Sequence, residues 1–209
     1  MDLTFLSQII GFITALTVHE FSHAFIANRL GDPTAKYADR LSLNPLKHID
    51  PFGTVLLPLI LIISHAPFVF GWAKPVPVNP YNLKGKYGGT WVSLAGPAAN
   101  FLIAIFIALV LRFLPDSITA SWSNEFFRLF IFIASINVTF GLFNLIPVPP
   151  LDGSKILMDI LPPSMNNVKE FLTRYGSILL MIFILFGGNL LFFGVMLIMS
   201  LLFNGIVIN

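Results

Sequence analysis

Three ionisable side chains interrupt an apolar run near the start of the chain: His19, Glu20 and His23, within TVHEFSHAF. On an α-helix, residues four apart lie about 40° from one another and one turn along the axis. His19 and His23 therefore share a face and can reach one ion. Glu20 sits beside that face, where it can reach a water on the ion without being a ligand. This H-E-x-x-H spacing suits two imidazoles on Zn2+ with a carboxylate as the base. A buried polar cluster or a proton relay would use the same residue types. The chain has only four histidines, and ionisable groups at bilayer depth are held there for function by default.

A catalytic zinc takes three protein ligands and keeps a further position open. With no cysteine in the chain, the third must be His, Asp or Glu. Asp152, in NLIPVPPLDG, is the candidate. Pro149 and Pro150 break the preceding apolar segment, and Gly153 permits a turn that aims the carboxylate back at the bundle. Asp152 is equally placed to N-cap the helix that follows. His48 and His65 are rival ligands, but they lie in or beside loops with no spacing link to the first pair. They are expected to be interfacial histidines.

The elements that must position these groups are membrane-like. Of 209 residues, 56% are hydrophobic and 11% charged, against roughly 25% charged in soluble domains. A net charge of +2 without basic clusters argues against nucleic acid as a partner. The N-terminus lacks a basic n-region and is expected to be retained. Residues 3–30 make a first span, about 42 Å long as a helix. Residues 91–114 and 125–146 make two more. Residues 52–64 are apolar but short, suiting a re-entrant or interfacial piece. A short amphipathic helix is expected over 154–161, and two apolar runs in 175–207, split by Gly187-Gly188-Asn189, suggest a hairpin of two spans.

The expected fold class is an all-α polytopic membrane protein forming one domain over 1–209. A three-helix core occupies about 3–160, and a helical hairpin of two further spans occupies about 171–208. A short re-entrant or extended segment lies between the first two core helices. If 52–64 does not cross, the region from Arg29 to Lys86 lies on one side with seven Lys and Arg, while 115–124 lies opposite with none. The positive-inside rule then makes the N-terminus external and puts His19, His23 and Asp152 toward the cytoplasmic side.

Taken together, HEFSH, AGPAAN (95–100) and NLIPVPPLDG (144–153) resemble the site-2 protease family of intramembrane zinc metalloproteases, over about residues 10–160. LNPLKHIDPFGT and GWAKPVPVNP resemble its compact prokaryotic branch, which lacks a PDZ domain. The resemblance implies one Zn2+ per chain held by His19, His23 and Asp152, with Glu20 as catalytic acid/base. It also implies that Asn144 helps to bind the substrate backbone or the tetrahedral intermediate. Asn137, two turns earlier on the same face, joins it as a candidate; an interhelical hydrogen-bond pair is the alternative.

The implied partners are the lipid bilayer and transmembrane protein substrates that unwind locally. The stretch 68–78 either clamps the unwound chain by strand addition or is a Pro-rich connecting loop. Two other classes compete. A metal-ion or proton transporter needs ionisable residues along successive spans, and the later spans offer almost none. A non-catalytic zinc-binding assembly factor would bind zinc without cleaving anything.

Overall fold

The computed structural model of the chain describes residues 3–64, 71–115 and 124–204, and every regular element among them is helical. In order these are α1 (Leu3–Arg29), α2 (Thr34–Tyr37), α3 (Leu57–Ile63), α4 (Gly88–Phe113), α5 (Asn124–Asn144), α6 (Asp152–Ile160), α7 (Asn166–Phe186) and α8 (Gly188–Phe203). Helices α1, α4 and α5 pack against one another as a three-helix core. Lipid gives helices no hydrophobic reason to associate, so close packing of small residues must do it. Ala15, Ala24 and Ala27 of α1, Ala104 and Ala108 of α4, and Ala134 of α5 are accordingly buried. Toward the far end, Ile107, Leu111, Phe127 and Val138 join Val195 of α8 in one apolar cluster.

Three helices are long and apolar enough to cross a membrane, over Gln8–Arg29, Gly88–Phe113 and Phe126–Asn144. The expected spans therefore stand, with boundaries shifted by a few residues. α1 stops where its sequence tells it to. Gly31 takes φ of 104°, and the amides of Gly31 and Asp32 bond back to Asn28 and Ala27. This pairing satisfies carbonyls that the helix end would otherwise leave open. Pro33 then prevents continuation.

The short apolar segment is a π-helical turn, Pro51–Leu56, running into α3. Its 13 residues give about 20 Å of helix, short of the roughly 30 Å of hydrocarbon. The C-terminal pair departs from the expected hairpin. α7 and α8 meet at a bend of 70° rather than folding back antiparallel. Only Gly187 separates them, accepting from Leu191 while its own amide bonds to Phe183. A full reversal needs several residues outside both helices, and only Gly187 intervenes.

Between α3 and α4 runs a strap, residues 71–79, with no regular secondary structure. Residues 68–70 of the predicted extended stretch, and His65, lie outside the described residues. Hydrogen bonds fasten the strap along its length. The Trp72 amide donates to Gly53 O, and Thr54 Oγ1 donates to Trp72 O. The Lys74 amide donates to His48 O. Buried Arg40 donates to the carbonyls of Lys74 and Pro75 at 2.9 and 3.3 Å. Asp32 closes the far end: Oδ2 accepts from the Asn79 amide at 2.7 Å, and Oδ1 from Asn82 Nδ2 at 3.0 Å.

Candidate metal centre

α1 carries His19 and His23 on one face about two turns before its end, and both are buried. Asp152 reaches them from α6. That helix begins at Asp152, two residues earlier than the sequence suggests, with Leu151 as its N-cap. The N-cap alternative for Asp152 is therefore not what the structure shows. Its carboxylate turns inward, with Oδ2 3.1 Å from His19 Nε2 and 2.9 Å from His23 Nε2. The two Nε2 atoms are 2.9 Å apart. Among the described residues, this is the group of His and acidic side chains placed to share an ion.

The donor set fits a cation. His23 Nδ1 lies 2.7 Å from the Val92 carbonyl, and His19 Nδ1 lies 2.8 Å from Asn100 Oδ1. In neutral imidazoles those contacts place both ring hydrogens on Nδ1. Two Nε2 lone pairs and a carboxylate oxygen then converge on one point, which is unfavourable without positive charge between them. Their 2.9–3.1 Å separations approach the roughly 3.3 Å edge of a tetrahedron with bonds of about 2.0–2.1 Å, the zinc geometry.

Glycine makes room for this arrangement. A Cβ on Gly96 would lie 2.6 Å from both His19 Cε1 and His23 Nε2. The imidazoles therefore rest against the bare backbone of α4. Gly153 also serves by close approach. It does not adopt positive φ, and a Cβ there would meet Leu145 O at 2.2 Å. Its lack of a side chain lets α6 lie against the end of α5, which differs from the turn expected from sequence.

Glu20 is buried and its Oε2 accepts from the Val76 amide of the strap at 3.0 Å. The site opens into a cavity of about 540 Å3 lined by His19, Glu20, His23 and Asp152, by Pro75, Val76 and Val78 of the strap, and by Asn144. Asn144 thus faces the candidate centre, with its Nδ2 donating to Phe140 O at 3.0 Å. Asn137 does not line the cavity. It is fully buried, and its Oδ1 accepts from Asn100 Nδ2 at 3.1 Å. That is the interhelical pair of the alternative reading. Lys155 extends from α6 and donates to Asp152 Oδ1 at 3.0 Å.

His48 is also fully buried, but its Nε2 contacts Ser42 O at 2.7 Å and it takes no part in the cluster. Four contributors had no role from sequence: Asn100, the Val92 carbonyl, the Val76 amide and Lys155. Only Asn100 left a signal there, as a lone amide in an apolar span. Away from the candidate centre and outside the spans, Asp32 is a perturbed carboxyl. Burial alone would raise its pKa, but hydrogen bonds from Thr34, Asn82 and Asn79 outweigh that and lower it.

A bundle of apolar spanning helices with a His-His-Glu-Asp cluster at one end defines a membrane-embedded metallohydrolase. The model of peptidase family M50 matches residues 115–183, and the chain belongs to that family, the site-2 proteases. YwhC of Bacillus subtilis is 38% identical over 83% of this chain and 78% of its own length. Rip2 of Mycolicibacterium smegmatis is 30% identical over 87% of this chain and 67% of its own. Both bear zinc-metalloprotease names. The regulator of sigma-E protease RseP of Escherichia coli is 31% identical over 50% of this chain and 25% of its own length. No solved structure matches the chain. The protein is a zinc metalloprotease of the site-2 protease type and a multi-pass integral membrane protein.

Proposed function

We propose that the chain cleaves transmembrane helices within the bilayer, with His19, His23 and Asp152 holding Zn2+ and Glu20 as the catalytic acid/base. The observation that carries this reading is the convergence of three buried lone-pair donors beside a buried carboxylate, at one end of a membrane-spanning bundle. Zinc, when bound there, acidifies a water and polarises the scissile carbonyl. Glu20 takes the water's proton and passes it to the leaving amine nitrogen. The Val76 amide holds one carboxylate oxygen, so the base keeps a fixed direction while the proton moves. Asn144 faces the same cavity, where its amide can donate to the developing oxyanion.

A transmembrane helix hides its carbonyls in i→i−4 bonds, so the substrate must unwind to present one. The strap borders the cavity through Pro75, Val76 and Val78. An unwound segment laid alongside it would be held by main-chain pairing. Orientation follows from charge. Seven Lys and Arg lie between Arg29 and Lys86, at the site-bearing end, which makes that end cytoplasmic and the N-terminus external.

The test is Glu20→Gln in purified protein, with zinc content measured beside cleavage of a transmembrane peptide. Zinc is retained and cleavage falls by about 10²- to 10⁴-fold, the usual contribution of a positioned base. Normal zinc with undiminished cleavage overturns the role of Glu20. Bound zinc in the unaltered protein, with no cleavage of any membrane peptide, favours a non-catalytic zinc protein instead.

A further inference from the structure

We infer that Asn100 is the positioning residue of the metal centre: its carboxamide sets the tautomer and direction of His19, and Asn137 sets the carboxamide. The inference rests on the reading that His19 binds zinc.

Asn100 lies in α4 and is fully buried. It makes three polar contacts: Oδ1 to His19 Nδ1 at 2.8 Å, Nδ2 to Ala15 O at 2.9 Å, and Nδ2 to Asn137 Oδ1 at 3.1 Å. A main-chain carbonyl can only accept, so Ala15 forces the amide nitrogen toward α1 and the amide oxygen toward His19. Asn137 is fixed in the same manner. Its Nδ2 donates to Ile133 O at 2.9 Å, which turns its Oδ1 toward Asn100. Each amide is thereby oriented by a helix carbonyl that cannot switch roles.

The consequence reaches the centre directly. With an acceptor facing Nδ1, the neutral His19 ring carries its hydrogen there, and the Nε2 lone pair points at His23 and Asp152. The other tautomer would set two lone pairs against each other in a buried site and place a hydrogen where the ion belongs. Groups that orient metal-bound imidazoles in this manner typically govern metal affinity by about 10–100-fold. His23 has an equivalent partner in the Val92 carbonyl, which no side-chain substitution removes. Asn100 is therefore the position where the orienting contact can be altered.

The experiment measures zinc affinity by competition with a chromophoric chelator, on full-length protein in detergent. Asn100→Ala lowers affinity by about 10–100-fold. Asn100→Asp keeps the acceptor toward His19 but sets its second oxygen against the Ala15 and Asn137 acceptors, and it loses less affinity than Asn100→Ala. Asn137→Ala leaves the His19 and Ala15 contacts in place but removes one of the two acceptors that hold the carboxamide, and costs about threefold, less than Asn100→Ala. A merely structural amide predicts another order, with Asp as damaging as Ala because both lose the ties to α1 and α5. That order overturns the inference, as does unchanged affinity in Asn100→Ala. If Asn100→Ala does not fold, unchanged affinity in Asn137→Ala overturns the relay. His19→Ala separates the two levels. Lost zinc there with unchanged zinc in Asn100→Ala defeats this inference alone, whereas retained zinc in His19→Ala defeats the ligand reading and this inference together.

Discussion

The main-chain amide of Val76 donates to the carboxylate of Glu20 across 3.0 Å, joining residues 56 positions apart. The strap and Glu20 are thus one mechanical unit. Val76→Pro deletes this donor in a segment already flanked by Pro75 and Pro77. A hydrogen bond to a charged group is worth about 1.5–3 kcal/mol, so kcat/KM falls by about 10- to 100-fold. Val76→Ala keeps the amide and stays within about threefold. Peptide cleavage by the two variants, at equal zinc content, checks the contrast.

Gly96 leaves room for both imidazoles by carrying no side chain. The Cβ of Gly96→Ala would sit 2.6 Å from His19 and His23 atoms, and neither ring can retreat without leaving the centre. Zinc stoichiometry should collapse in this variant. Gly188→Ala is the control, because a Cβ there meets nothing within 4 Å. Metal analysis of the two purified proteins decides the matter.

Asp152 and Lys155 should separate cleanly although they touch. Asp152→Ala removes a buried oxygen from the cluster and should leave little bound zinc. The Lys155 side chain is 62% exposed, and exposed pairs contribute about 0.2–1 kcal/mol. Lys155→Met therefore lowers zinc affinity by no more than about fivefold. Chelator competition on both variants reads the difference.

The lowered pKa of Asp32 gives the fold an acid limit. A carboxyl with a depressed folded-state pKa stabilises fully above its unfolded value of about 3.9, and loses that contribution as pH falls through the folded value. Thermal stability in detergent should therefore decline on acidification below about pH 4. Asp32→Asn lowers stability at neutral pH by about 1–3 kcal/mol, since the buried donors at Asn79 and Asn82 lose a charged acceptor. It also flattens the acid limb. Melting temperatures across pH for the two proteins provide the check; an identical acid limb in both would assign it to other carboxyls.

The sequence carried the near half of the site because His19, Glu20 and His23 are ordered by helical periodicity alone. Asp152 was legible less directly. Its Pro-Pro and Gly neighbours marked a turn, but whether the carboxylate capped its own helix or faced α1 depended on tertiary packing. Gly153 shows the same limit: a turn residue by sequence, it is a contact residue against Leu145 in the fold. Asn100 showed in the sequence only as a lone amide in an apolar span, and the Val76 amide showed no partner. Their contacts join separate helices or a helix and a strap, and no local period encodes such pairings. The C-terminal pair misled for a local reason. Glycines between apolar runs mark a break, but the count of non-helical residues decides between a bend and a reversal.

The alternation Pro75-Val76-Pro77 has a use at the bench as well as in the fold. Proline carries no amide hydrogen, so Val76 owns an exchangeable proton with no such neighbour on either side. That proton is the one bound to Glu20. A valine-selective nitrogen label would thus install a reporter on the Glu20 contact, and its exchange rate with deuterated solvent would clock how often the strap lifts away. An inhibitor or peptide that presses the strap down should slow that clock, and one that displaces it should speed it.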